Sequence, residues 1–252
     1  MTRLTFLGTA DAFNGAGRAH SCYWVDDALG AFTVDFGPTA LMQCHKLGKD
    51  LRTLDGVFLT HLHGDHIGGL AVLLIQLQFV TRRTRPLIIA GPPGTEARVT
   101  ELRETAYPSL LRTGLPFPLV FRTWAVPGTV EVLQRKVTTI RALHDRFAVA
   151  TSFRVEGPEH TLTFSGDTGW QPDLAALTRD ADLFVCECSG VDSGYWAHLS
   201  VAELEAHRDA LTPRRMMVSH LSEASRAAAT ASTTLRAEVA DDGVVVELAP
   251  RG

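Results

Sequence analysis

The sequence predicts a single α+β domain over residues 1–252, with strands in both halves of the chain and helices set between them. Three observations point there. Short alternating or continuous apolar runs bounded by turn residues recur near both ends. Longer segments with helix start and stop signals separate them. A 45% apolar and 21% charged composition over 252 residues supplies a large core and is unlike a disordered chain.

Taken in order, "RLTFLG", "SCYWVDD" and "AFTVDFG" read as short strands separated by turns containing Gly and Asp. Pro38 opens a helix through "TALMQCHKLG" that Gly48 closes. "GVFLTHL" is a buried strand. A helix from about Ile67 to Arg83 follows, apolar nearly all round and therefore buried. "PLIIAG" is a strand, Thr95 to about Ala106 a helix, and "YPSLLRTGLPFP" a Pro-rich turn. Strand-like runs continue through "LVFRTWAV", "VEVLQRKVTTIRALH", "ATSFRVEG" and "HTLTFSGD". After the strand "LFVCECS" come a helix from Ser200 to Leu211 and the strand "RRMMVSHLS". An Ala-rich helix from Glu223 to about Ala240 and a last strand, "VVVELA", complete the chain. No linker, low-complexity tract or long-period repeat interrupts this order.

The net charge of −4 leaves no basic footprint for nucleic acid. The longest apolar run, Leu70 to Leu77, is broken by glutamine and falls short of a membrane span. The opening "MTRLTFLGTADAF" lacks an apolar stretch followed by a cleavage site. Cys22, Cys44, Cys186 and Cys188 have no disulfide-framework spacing. The expectation is a cytoplasmic protein with no membrane partner. Cys186 and Cys188 share one face of their strand, so Glu187 between them points to the other.

"LTHLHGDHIGGL", residues 59–70, is the most informative stretch. It carries His61, His63, Asp65 and His66, three of the chain's 10 histidines and a carboxylate within six positions. Imidazole suits zinc, copper, iron and nickel, and carboxylate oxygen is a harder ligand. Three more ligand types end strand-like runs: His144 closes "TTIRALH", Asp167 "LTFSGD" and His220 "MMVSH". Seven ligands exceed the four of a tetrahedral zinc and suit two ions. The mixed nitrogen and oxygen donors make zinc the expected metal, with manganese or iron as alternatives.

These residues carry a family resemblance. "HLHGDH", with His144, "SGDT" and "SHLS" downstream, resembles the metallo-β-lactamase superfamily from residue 4 to about residue 248. "THLHGDHIGGL", the "FLGT" opening and "VDFGPT" resemble its ribonuclease Z-like hydrolases in particular. "VCECS" and "AHLS" are similar to that branch's glutamate-bearing and histidine loops. The resemblance implies a four-layer αββα sandwich with the site at one edge of its two sheets. It implies that His61, His63 and His144 hold one ion, that Asp65, His66 and His220 hold the other, and that Asp167 bridges both opposite a water or hydroxide. Such a pair draws the pKa of the water toward neutrality, ready to attack a phosphorus or carbonyl centre. Asp35 of "VDFG" is expected to orient a ligand histidine. Asp65, His198 and Glu187 are the expected catalytic residues. His198 would protonate the departing oxygen, and Glu187 would hold one nitrogen of its imidazole. The bland alternative pairs Glu187 with a surface arginine and leaves His198 to cap the helix beginning near Ser200.

Substrate identity is less legible. Asp167 and His63 argue against classical lactamases and flavodiiron oxidoreductases, relatives with cysteine or glutamate at those places. The ribonuclease Z branch processes precursor tRNA with an arm that usually lies between the positions of His144 and Asp167. Here only residues 145–166 stand there, enough for two strands and a turn at "EGPEH". The expectation is therefore a dinuclear hydrolase whose partner is a small phosphodiester or related ester rather than nucleic acid, with homodimerisation left open. Carboxylic ester, lactone or thioester hydrolysis, tRNA 3′ processing and a non-catalytic metal-binding module are the alternatives. A pocket lined by Arg18, Arg82, Arg146 or Arg154 would favour phosphate, and an apolar one acyl groups. His20, His45, His160 and His207 are expected at the surface. "NGAGRAH" is either a loop over the site or a plain turn, and Tyr195 and Trp196 are either a pocket wall beside His198 or core.

Overall fold

Strand β2 (Cys22–Asp27) sends Tyr23 and Val25 to one core and Cys22 and Trp24 to another, because successive strand side chains leave on opposite faces. In the computed structural model, which describes residues 1–108 and 114–249, the same sorting builds two sheets. The first contains β1 (Thr2–Gly8), β2, β3 (Gly30–Val34), β4 (Leu54–Phe58), β5 (Leu87–Gly91) and β6 (Leu119–Thr123) in that spatial order, with β14 (Val245–Leu248) beside β1. The second runs from β7 (Gly128–Val132) through β8 (Arg135–Arg141), β9 (Thr151–Glu156), β10 (Thr161–Phe164), β11 (Leu183–Glu187) and β12 (Met216–Ser219) to β13 (Glu238–Val239). Phe6, Phe32 and Phe58 of the first sheet meet Phe153, Phe164 and Val185 of the second in the central core.

Helices α1 (Ala40–Lys46), α2 (Gly64–Ile67), α3 (Leu70–Ile75) and α4 (Thr95–Ala106) cover the outer face of the first sheet through Cys44, Ile67, Leu70 and Val99. Helices α5 (Pro172–Thr178), α6 (Val201–Ala206) and α7 (Glu223–Ala231) cover the second through Leu174, Val201, Leu204 and Ala229. The result is the αββα sandwich. Arg135 and Asp27, both almost fully buried, tie β8 to β2 across the central layer, with Arg135 Nε 2.8 Å from Asp27 Oδ2. No described helix is long and apolar enough to cross a membrane.

Strands β3 to β6 run parallel, as do β10 to β13, and β8 shares the direction of β10 through two antiparallel steps. Parallel strands end at the same edge of a sheet. Asp35, His61, His144, Asp167, Glu187 and His220 therefore emerge from the carboxyl ends of β3, β4, β8, β10, β11 and β12.

Six expectations need correction. "VEVLQRKVTTIRALH" is a hairpin, since Leu133 and Gln134 both have positive φ in the two-residue turn joining Val132 to Arg135. The long helix from Ile67 is broken into α2, α3 and a π-helical turn over Gln76–Val80, and Val72, Phe79 and Val80 are exposed. The helix after Ser200 ends at Ala206, and the Ala-rich helix ends at Ala231, where Ser232 turns extended and the chain goes on to pair β13 with β12. His160 is buried between Thr2 Oγ1 (3.0 Å) and the Ala249 carbonyl, and His20 is buried beside Thr39, whereas His45 is exposed. Residues 109–113 of the expected Pro-rich turn lie outside the described residues.

Candidate metal centre

The seven candidate ligands meet at that shared edge, delivered by four separate segments. His61 and His63 lie in the loop after β4, and Asp65 and His66 in the single turn α2. Gly37 lets this turn sit close, because a Cβ there would fall 2.3 Å from the Asp65 carbonyl oxygen. Gly166, at φ +54°, turns the chain after β10 so that Asp167 enters the cluster; a Cβ there would meet the Thr151 carbonyl oxygen at 2.7 Å. Asp35 and His220 have φ of 56° and 53°, a backbone conformation that non-glycine residues keep only where the surroundings hold them.

The donor atoms of His61, His63 and His144 form one group, and those of Asp65, His66, Asp167 and His220 another, each within 4.8 Å; His198 lies as close to His144 and Asp167 and to Glu187 and His220. Asp167 stands between them: its Oδ2 is 3.8 Å from both His61 Nε2 and His144 Nε2 and 3.4 Å from His220 Nε2, while its Oδ1 is 3.4 Å from His66 Nε2. His144 Nε2 lies 2.9 Å from His63 Nδ1, and His66 Nε2 lies 3.3 Å from His220 Nε2. The far nitrogen of each imidazole faces an oxygen. His66 Nδ1 is 2.7 Å from Asp35 Oδ2, His61 Nδ1 3.0 Å from Thr60 Oγ1 and His63 Nε2 3.2 Å from Asp145 Oδ2. His144 Nδ1 is 2.9 Å from the Ala197 carbonyl and His220 Nδ1 2.8 Å from Ser189 Oγ. Such contacts choose the tautomer of a ligand histidine.

Electrostatics fit a cation site. Burial pushes the Asp167 carboxyl up, but His220, His66 and His61 outweigh it and hold the group well below the usual range. Asp65 is likewise held below it by His220 and His66 against the cost of burial. Burial lowers His61 far below an ordinary histidine, whereas the Asp167 and Asp35 carboxylates overcome burial and raise His66 well above one. Buried His61 Nε2 and Asp167 Oδ1 have no hydrogen-bond partner, although interior polar atoms are normally satisfied. Cation binding by the donor groups to which they belong would satisfy both atoms, so the residues present fit a metal centre.

Glu187, buried at the end of β11, puts Oε1 2.8 Å from His198 Nδ1 and also accepts the Thr168 and Ser189 amides. Burial lowers the His198 imidazole, but the hydrogen bond and charge of Glu187 prevail and lift it to about 9. The helix cap beside it is Ser200, in a capping box with Glu203. Tyr195 lies against His198 with ring centroids 5.8 Å apart, and both Tyr195 and Trp196 are exposed rather than core.

A cleft of about 720 Å³ opens beside His61 and His63, walled by Leu62, Pro93, Ala97, Phe147 and Val149, with the Arg98–Glu101 ion pair in its lining. The cleft's arginine is thus Arg98 rather than the expected ones. Arg18 is taken by Asp241, Arg154 by the Leu177 and Arg179 carbonyls, and Arg146 stacks on Trp196. Of "NGAGRAH", Gly15 packs against the chain at Leu221 to Glu223, just after His220, and Asn14 bonds the Arg18 carbonyl. Sequence reading missed Thr60, Asp145 and Ser189; Thr60 and Asp145 stand next to a ligand in the chain and Ser189 two residues after Glu187.

The model of the anti-Pycsar protein Apyc1 family matches residues 2–240. A ribonuclease Z of Mycobacterium sp. (strain KMS) is 34% identical over 194 residues, covering 73% of this chain and 68% of that protein. In fold, the chain is similar to the human short-form tRNase Z (TM-score 0.78, 22% identity, 97% of this chain and 98% of that one). It is also similar to the metallo-β-lactamase fold protein YhfI of Bacillus subtilis (TM-score 0.75, 20% identity, 98% and 100%).

Proposed function

Because the chain belongs to the anti-Pycsar protein Apyc1 family, within the ribonuclease Z-like, metal-dependent hydrolases of the metallo-β-lactamase superfamily, we propose that it hydrolyses a small phosphodiester of nucleotide size. The observation that carries the reading is an open 720 Å³ cleft beside His61 and His63, in a site that also holds the second donor group and the Glu187–His198 pair. Clefts of roughly 300–1,000 Å³ enclose small ligands. Residues 145–166 are too few for a tRNA-gripping arm, and Asp145 and Phe147 to Ala150 of that stretch form part of the cleft wall instead.

His61, His63 and His144 would hold one ion and Asp65, His66 and His220 the other, with Asp167 shared; zinc suits the donors best. When bound, two such ions supply Lewis acidity and lower the pKa of a water toward neutrality. Asp35, Thr60, Asp145, Ser189 and the Ala197 carbonyl keep the imidazoles turned toward the site. Leu62, Ala97 and Phe147 offer apolar contact to the substrate, and Arg98, paired with Glu101, leaves the cleft wall without a net positive charge. His198, charged through Glu187, gives its proton to the departing alkoxide oxygen and receives one back from solvent.

Acyl-ester hydrolysis is the second reading, favoured by the apolar cleft walls. A panel of bis-p-nitrophenyl phosphate, a cyclic mononucleotide, p-nitrophenyl acetate and a precursor tRNA separates the readings. We expect both small phosphodiesters to be turned over well ahead of the tRNA and the acetate. Turnover of the acetate alone would overturn the phosphodiester reading, and efficient 3′ cleavage of the tRNA would replace it. Less than half an equivalent of transition metal after metal-rich expression would remove the two-ion centre.

A further inference from the structure

We propose that Asp145 is a positioning residue that ties one wall of the substrate cleft to His63, so that a single carboxylate sets both. The inference rests on the two-ion reading above. His63 is the most exposed of the seven candidate ligands, at 46% of its side chain, against 13% or less for the neighbours His61, Asp65, His66, His144, Asp167 and His220. Close packing fixes the orientation of those side chains; an exposed ring needs another restraint. Asp145 provides it. Its Oδ2 is 3.2 Å from His63 Nε2, which leaves Nδ1 facing His144 Nε2 at 2.9 Å.

The other carboxylate oxygen does a second job. Asp145 Oδ1 accepts the amides of Phe147 (2.7 Å) and Ala148 (3.1 Å). Those residues, with Val149 and Ala150, line the cleft. The Phe147 side chain is fully exposed, so packing does not place it; the loop's position comes from its backbone. The other four candidate-ligand histidines have no such link, since their far nitrogens meet Asp35, Thr60, Ser189 and the Ala197 carbonyl, none of which lines this cleft. A substrate group leaning on Phe147 therefore presses on the same carboxylate that aims His63.

Three variants divide the two jobs. Asp145→Asn keeps an oxygen for the loop amides and offers His63 an NH₂ where its N–H needs an acceptor. Asp145→Ala removes both contacts, and Phe147→Ala removes only the wall. Zinc affinity is read by competition with a chromophoric chelator, without substrate, and KM with bis-p-nitrophenyl phosphate; thermal melting checks folding. We expect Asp145→Asn to weaken one zinc site about 10–100-fold with KM kept. Phe147→Ala should raise KM with zinc affinity kept, and Asp145→Ala should do both. Wild-type zinc affinity in folded Asp145→Asn and Asp145→Ala overturns the proposal, as does an unchanged KM in Asp145→Ala. A wild-type protein that binds no zinc overturns the two-ion reading itself.

Discussion

Replacing His198 with alanine should leave both metal sites filled and slow hydrolysis of a phosphodiester with a poor leaving group by about 10²–10⁴-fold, or about 2.7–5.4 kcal/mol of barrier. The cluster should survive the change. Glu187 retains the Thr168 amide at 2.9 Å, the Ser189 amide at 3.1 Å and the Ser189 hydroxyl at 3.0 Å, so its carboxylate stays satisfied. Glu187→Gln is the finer perturbation. With its pKa raised to about 9, the imidazole is about 99% charged at pH 7, and at an ordinary value near 6.5 it is roughly one-quarter charged. Loss of the carboxylate thus lowers the charged fraction of the imidazole near neutral pH. Because a raised pKa keeps the acid form present to higher pH, the alkaline limb of kcat should move to lower pH in Glu187→Gln. Bound cations lower both values together and leave the sign of that displacement intact. The assay compares kcat profiles from pH 6 to 10 on a cyclic mononucleotide and on bis-p-nitrophenyl phosphate, whose p-nitrophenolate leaves without help. An equal loss on both substrates in His198→Ala, or an unmoved alkaline limb in Glu187→Gln, would refute the acid role.

Three further outcomes are expected. Asp167→Ala should drop metal content and most activity, whereas Asp35→Asn should weaken metal affinity or activity by about 10–100-fold; equal losses with full metal content in both would contradict the shared position of Asp167. Zinc loading of apo-protein at pH 7.5 should release at least one proton, because Asp167 and Asp35 raise the His66 imidazole above its usual range against the pull of burial and ligation needs it neutral. Titration enthalpies that do not vary with buffer would count against this. Asp27→Ala should cost about 3–5 kcal/mol by leaving Arg135 buried and unpaired between the sheets; a urea-denaturation loss below about 1 kcal/mol would show the pair to be dispensable.

Much of the architecture was legible because strand periodicity reports burial directly. The alternation of Tyr23 and Val25 with Cys22 and Trp24, and of Phe184 and Cys186 with Val185 and Glu187, assigns each side chain to a layer without reference to any other element. Helix lengths were less legible. The Ala-rich run after Glu223 gives way past Ala231 to Ser232, Thr233 and Thr234, weak helix formers, and the chain leaves the helix there and goes on to pair Glu238 and Val239 with Met217 and Val218.

The donor types, their place at strand ends and the opposite facing of Glu187 and its flanking cysteines follow from spacing within one element and are readable along the chain. The acceptor that meets each imidazole, the burial of His20 and His160 and the presence of Arg98 in the cleft follow from packing between elements. Thr60 and Asp145 are next to ligands in the chain, yet each imidazole's partner depends on how separate segments dock. His160 shows the same limit: it is buried because Thr2 and Ala249, from the two ends of the chain, close over it. Periodicity measures an element's own exposure, whereas a hydrogen-bond partner is set by the distance between elements, and that distance exists only once the two sheets have packed.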